Sequence, residues 1–187
     1  MLLSIVVPVY NEEENIANFY KAVTDVMSGL TYDYELIFVD DGSSDSSAMI
    51  LREIAYNDKH VKVLLLARNF GHQTALTCGL DYAHGDAVIT MDGDMQHPPA
   101  LIPELVRLWE SGYDVVRTIR DSTDDASWAK SFTSKYYYKL MNKMADVPIV
   151  EGGSDFRLMN SKALGTLKRF REHGRFLRGI VGALGYR

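Results

Sequence analysis

At 187 residues, 47% hydrophobic, with a net charge of −5, the chain carries enough apolar material for one full core and shows no composition break that would divide it into equal domains. A single cysteine, Cys78, excludes a disulfide framework and points to a reducing compartment; with no evident base beside it, it reads as a small core residue. From Glu151 onward eight basic residues face three acidic ones, a balance of +5 that leaves −10 on residues 1–150. An acidic body with a basic tail argues against general nucleic-acid binding and fits local contact with phosphates or an anionic membrane surface.

Residues 2–9 are a continuous apolar run, too short for a membrane span and without the flanks of a signal peptide, so they read as a first strand. Asn11 is placed to cap the next helix, with Glu14 reaching back as in a capping box. Ile16, Phe19, Val23, Val26 and Leu30 then recur at helical spacing. A second strand over 34–39 ends at Asp40-Asp41-Gly42-Ser43-Ser44, where Ser43 or Ser44 is expected to cap a helix carrying Met49, Ile50, Ile54 and Ala55. A third strand over 61–66 and a helix over 69–83 follow, then an apolar strand over 87–91 that stops at Asp92-Gly93-Asp94. Asp-Gly is also a hairpin signal, but His97-Pro98-Pro99 with Leu101, Leu105 and Leu108 starts an amphipathic helix rather than a returning strand.

This βαβαβ series of buried strands predicts an α/β, Rossmann-like fold with a doubly wound, mostly parallel sheet flanked by helices and right-handed crossovers. The ligand crevice belongs at the strand ends carrying Tyr10, Asp41 and Asp92. Asp92 and Asp94, separated by Gly93 and followed by Gln96, offer only hard oxygen ligands, which suits Mg²⁺ or Mn²⁺ better than zinc. No G-x-G-x-x-G follows the first strand and no P-loop occurs, so dehydrogenase and P-loop readings lose their main support. Asp41 can still accept hydrogen bonds from a base amide or a ribose hydroxyl.

The second half is less patterned. Residues 114–120 read as a strand bearing Arg117 and Arg120, 121–127 as a polar loop at the mouth of the site, and 131–144 as a helix with Phe132, Tyr136, Leu140 and Met144 on one face. Residues 151–155 read as a turn that returns Asp155 to the crevice. The segments 161–172 and 175–184 are basic and partly apolar, which suits a membrane surface, while packing on the sheet explains the apolar half more plainly.

Five motifs in order, Val7-Pro8-Val9-Tyr10-Asn11-Glu12, Val39-Asp40-Asp41-Gly42-Ser43, Arg68-Asn69-Phe70-Gly71, Asp92 through Pro99 and Ser154-Asp155-Phe156-Arg157, resemble glycosyltransferase family 2. More narrowly they are similar to its polyprenyl-phosphate sugar transferases. The resemblance implies a GT-A fold over residues 1–187 as a single catalytic domain, a fragment that would lack C-terminal membrane helices. It also implies a nucleotide-sugar donor, with UDP-glucose favoured over GDP-mannose or UDP-N-acetylhexosamine, a Mg²⁺ or Mn²⁺ ion, and inverting transfer to a polyprenyl phosphate at the cytoplasmic face of the cell membrane. A homo-oligomer is left open.

By the same resemblance Pro8, Tyr10 and Glu12 would line the base pocket and Asp41 would read the nucleoside. Arg68 would meet the phosphates, Asp92 would face the ribose and sugar, and Asp94, Gln96 and Asp92 would hold the metal. Asp155 falls where inverting transferases keep a base, with Asp92 as the second catalytic carboxylate. Arg117, Arg120, Arg157 and Arg175 are the expected contacts of the acceptor phosphate. Three other readings compete: a family 2 transferase acting on a sugar hydroxyl, a nucleotidyltransferase and a non-catalytic binding module. The second would need a glycine-rich, basic loop where residues 10–14 are acidic, and the third has no need of Asp92, Asp94 and Asp155 together.

Overall fold

A computed structural model describes residues 1–119, 153–170 and 177–187. Six strands form one sheet: β1 (Leu2–Val9), β2 (Asp33–Asp40), β3 (Val61–Leu65), β4 (Ala87–Thr90), β5 (Val115–Ile119) and β6 (Gly153–Asn160), in the order β3-β2-β1-β4-β6-β5. The pairs β1–β2, β1–β4 and β2–β3 are parallel, whereas β6 runs antiparallel to both β4 and β5. The helices are α1 (Ile16–Ser28), α2 (Ser47–Asn57), α3 (His72–Tyr82), α4 (Ile102–Glu110, entered through a 3₁₀ turn at Pro99–Leu101), α5 (Ser161–Leu167) and α6 (Leu177–Ala183).

Strand periodicity divides the core into two layers. Leu3, Ile5, Val7, Leu36, Phe38, Ile89, Phe156 and Leu158 face α1 and α4 through Ile16, Phe19, Val23, Ile102 and Leu105. Val6, Ile37, Val39, Val88 and Met159 face α3, α5 and α6 through Leu76, Leu80, Leu164, Leu177 and Val181. Both faces of the central strands are thus buried, which is why they read as unbroken apolar runs. Helix α3 lies close to the sheet because Gly79 carries no side chain: a Cβ there would stand 2.3 Å from Val6 Cγ1. Among the described residues no helix is long and apolar enough to cross a membrane.

Several local expectations are corrected. The capping box at Asn11 does not form: α1 begins at Ile16, after Asn15, and Asn11 sits at φ +54° with its side chain turned to the loop after β2. Neither Ser43 nor Ser44 caps α2, which starts after Ser46; Ser43 Oγ accepts from the Asn11 N–H instead. Helix α3 starts at His72 rather than at 69, because Gly71 stands at φ +95°, outside the helical region, where Asp41 holds its N–H and that of Phe70. Ser154 and Asp155, expected in a turn, lie within β6, the strand that runs antiparallel to its neighbours in a sheet expected to be mostly parallel. The loop over 121–127, the helix over 131–144, and Arg120, Glu151 and Arg175 fall outside the described residues. Cys78 is partly buried, and burial, then the neighbouring Asp81 carboxylate, push its thiol up and away from reactivity.

Candidate active site

The carboxyl ends of β1, β2 and β4 open onto a cleft of about 320 Å³. Its walls bring together Pro8, Tyr10, Glu12, Asp41, Asp92 and Asp94, six residues expected at the site, with Asn69 and His72 added from the loop before α3 and its first residue. Tyr10 is 46% exposed and so offers a ring face to a ligand.

The loops after β1 and β2 hold one another. Asn11 N–H donates to Ser43 Oγ at 2.9 Å and Asn11 Oδ1 accepts from Ser44 N–H at 2.8 Å. Glu12 N–H donates to Ser47 Oγ, and Glu13 Oε2 accepts from Ser46 N–H, each at 2.9 Å. Side-chain oxygens that could have capped helices are spent on this reciprocal lacing, which fixes Tyr10 and Glu12 before any ligand arrives.

Asp41, only 3% exposed, accepts from the N–H groups of Phe70 and Gly71 at 2.8 and 2.9 Å. It therefore ties the loop after β3 to the end of β2. Gly42 makes this approach feasible: its φ is +70°, and a Cβ would lie 2.4 Å from the carbonyl carbon of Arg68. Arg68 itself stacks its guanidinium over the Phe70 ring at 4.7 Å and does not line the cleft.

Beyond β4, Asp94 Oδ1 accepts from Gln96 N–H at 3.0 Å across a turn in which Met95 has φ +61°. Two histidines that sequence reasoning gave no role flank Asp92. His72 Nε2 lies 2.7 Å from Asp92 Oδ1. His97, 7% exposed against Phe156, has its Nδ1 3.1 Å from Asp92 N and 3.4 Å from Asp92 Oδ2. A backbone N–H can only donate, so His97 Nδ1 is read as its acceptor and the carboxylate approach as a close contact. His97 stood inside a quoted motif, and His72 directly followed one; a polar residue beyond a strand's carboxyl end was the available signal.

Asp155 and Arg157 are each 2% exposed and paired, Arg157 Nη2 donating to Asp155 Oδ1. Thr90 Oγ1 donates to the Asp155 carbonyl at 2.5 Å, locking β6 to β4, and Asp155 Oδ2 is 4.0 Å from His72 Nδ1. Of the arginines expected to meet an acceptor phosphate, Arg117 is exposed on β5 and Arg157 is buried beside Asp155. Among the described residues no three His, Cys, Asp or Glu side chains converge as a ready-made cage for a metal. Asp92 and Asp94 line the cleft and Gln96 does not; the oxygen-only chemistry of the three side chains would suit a hard divalent ion.

The profile described as Glycosyl transferase family 2 matches residues 4–167. An uncharacterised glycosyltransferase of Synechocystis is 42% identical over 185 residues, 99% of this chain and 58% of its own length. The bactoprenol glucosyl transferase of Shigella phage SfV is 40% identical over 185 residues, 99% of this chain and 60% of its own. The chain thus spans about three-fifths of these relatives. Two solved structures share the fold: the mannosyltransferase PcManGT of Pyrobaculum calidifontis, in complex with GDP-Man and Mn²⁺, superposes with a TM-score of 0.64 at 19% identity, covering 99% of this chain and 53% of that one. Mannosyl-3-phosphoglycerate synthase of Rubrobacter xylanophilus gives 0.65 at 17%, covering 86% and 53%. With its GT-A architecture and its cleft at the carboxyl ends of β1, β2 and β4, the chain belongs to glycosyltransferase family 2.

Proposed function

We propose that the chain is the catalytic part of an inverting, metal-dependent glycosyltransferase that moves glucose from UDP-glucose to a polyprenyl phosphate at the cytoplasmic face of the membrane. The observation that carries this reading is the convergence on one cleft of the laced Tyr10–Glu12 wall, Asp41, and the oxygen edge of Asp92 and Asp94, with Asp155 one side chain away. Relatives named bactoprenol glucosyl transferase support the acceptor class and the hexose.

Pro8, Tyr10 and Glu12 take the base, Asp41 holds the wall against which the nucleoside lies, and Asp92 meets the ribose and sugar. Asp94 and Gln96 hold the divalent ion, which when bound stabilises the charge that grows on the departing diphosphate. The acceptor oxygen attacks the anomeric carbon from the face opposite the diphosphate, the bond to the diphosphate breaks, and the anomeric configuration inverts. A phosphate monoester is already largely ionised at pH 7, its second pKa being about 6. Asp155, fixed by Arg157, therefore serves chiefly to orient the acceptor, with Arg117, Arg120 and Arg175 as its phosphate contacts.

Thermal unfolding with UDP-glucose, GDP-mannose and UDP-N-acetylglucosamine, each with Mn²⁺ or with chelator, tests the donor site. A specific donor at 100 times its Kd should add about 2.7 kcal/mol. The stabilisation is expected for UDP-glucose and only with the ion; equal, ion-independent shifts for all three would reject the reading.

A further inference from the structure

His72 lies in the wall of the cleft, its side chain 42% exposed, and no motif drew attention to it. It stands between two of the site's carboxylates: Nε2 is 2.7 Å from Asp92 Oδ1, and Nδ1 is 4.0 Å from Asp155 Oδ2. Which nitrogen carries the proton follows from a chain of obligate donors. Leu177 N–H, at the start of α6, donates to Gln73 Oε1 at 3.4 Å, which orients the Gln73 amide and leaves its Nε2 as donor. Gln73 Nε2 stands 3.3 Å from His72 Nδ1, so Nδ1 accepts and the ring proton sits on Nε2, aimed at Asp92 Oδ1. With Nδ1 accepting, the 4.0 Å approach to Asp155 is a contact across the site and no hydrogen bond.

We propose that His72, its ring oriented by Gln73 with Nε2 toward Asp92, is a positioning residue of the transfer reaction that fixes the rotamer of Asp92 and commits its Oδ1 to the protein. Oδ2, 3.4 Å from His97 Nδ1, is then the oxygen that faces the donor or its ion, so Asp92 acts through a pre-aimed oxygen. The proposal rests on the reading of this cleft as a nucleotide-sugar site. Two neighbouring features place the ring. Asp41 draws Phe70 and Gly71 against the end of β2, and α3 begins at the next residue, which delivers His72 to Asp92 across the cleft. The Gln73 contact with Leu177 links the same ring to the start of α6.

The test compares His72→Ala with His72→Gln, whose side-chain amide nitrogen reaches about as far as Nε2 and keeps a donor there. With UDP-glucose, Mn²⁺ and polyprenyl phosphate, His72→Ala should lose about 10- to 100-fold in kcat/KM for the donor, the range for one hydrogen bond to a charged group. The acceptor KM and the thermal midpoint should not move. His72→Gln should recover most of the loss. Independently of turnover, the ring-nitrogen chemical shifts of His72 in the ligand-free protein at mildly alkaline pH should show Nε2 protonated and Nδ1 bare, and Gln73→Met should weaken that preference. Wild-type kcat/KM in His72→Ala, a Gln variant no better than Ala, or a proton found on Nδ1 would each overturn the proposal. Should the wild type transfer sugar from no nucleotide-sugar, the functional reading fails, and the ring spectrum alone still decides the tautomer.

Discussion

Asp41→Asn separates two roles that one carboxylate can play. In the structure both carboxylate oxygens are used by the protein, one accepting from Phe70 N–H at 2.8 Å and the other from Gly71 N–H at 2.9 Å. An amide offers one oxygen, and its NH₂ must then face the second N–H, donor against donor. A hydrogen bond to a charged group contributes about 1.5–3 kcal/mol, and an orphaned buried donor adds to the loss, so local opening of the loop should become easier by about 2–3 kcal/mol. At about 1.36 kcal/mol per factor of ten, that is roughly 30- to 160-fold. Native-state hydrogen exchange, read at Phe70 and Gly71 in the ligand-free protein, measures it directly. Donor affinity should fall as well, because the loop brings Asn69 and His72 to the cleft. Unchanged protection at both amides, with donor affinity still lost, would show that Asp41 acts on the ligand alone and that the loop is held by something else.

Asp94→Asn should weaken UDP-glucose binding in Mn²⁺ and make the remainder insensitive to chelator, without lowering the thermal midpoint; donor binding unchanged with and without chelator would remove Asp94 from the ion's shell. Gly42→Ala combines φ +70° with a Cβ 2.4 Å from Arg68 backbone. It should cost about 2–4 kcal/mol and lower the midpoint by roughly 5–15 °C; a shift under about 2 °C would refute the close approach. Burial pushes the Glu35 carboxyl up, but hydrogen bonds from Lys62, Ser4 and the His84 N–H outweigh it and hold the group below its ordinary range. A lowered folded pKa gives stability that is present above the unfolded value of about 4.3 and lost as pH falls through the folded value. The gap in midpoint between wild type and Glu35→Gln should therefore be full near neutrality and close below about pH 4; a gap constant down to pH 3 would contradict the assignment. Asp155→Ala should lower stability in urea unfolding by removing a carboxylate partner of the buried Arg157, and Asp155→Ala with Arg157→Met should regain most of it. A double variant as unstable as the single one would show that the pair is not the source.

The strands of the parallel half were legible because both faces of β1 and β2 are buried and leave unbroken apolar runs. Helix starts were misread where side chains with capping chemistry are spent across loops, as Asn11 and Ser43 are. Strand β6 was read in part as a turn because its start, Gly153-Ser154-Asp155, has turn composition, and the buried pairing that lets Asp155 sit in a strand is with Arg157. The cleft residues from Pro8 to Asp94 were legible as motifs at strand ends, and the structure gathers them. His72 was not, since its contact is with a residue twenty positions away that no local pattern encodes.

Transfer of labelled glucose from UDP-glucose to polyprenyl phosphate, followed in the lipid fraction in Mn²⁺, tests the central proposal most directly. An acid-labile lipid-linked product of inverted anomeric configuration, abolished by chelator and by Asp94→Asn, is the expected result. A folded protein that binds UDP-glucose yet passes the sugar only to water or to a sugar hydroxyl, leaving the lipid phosphate unlabelled, would contradict it.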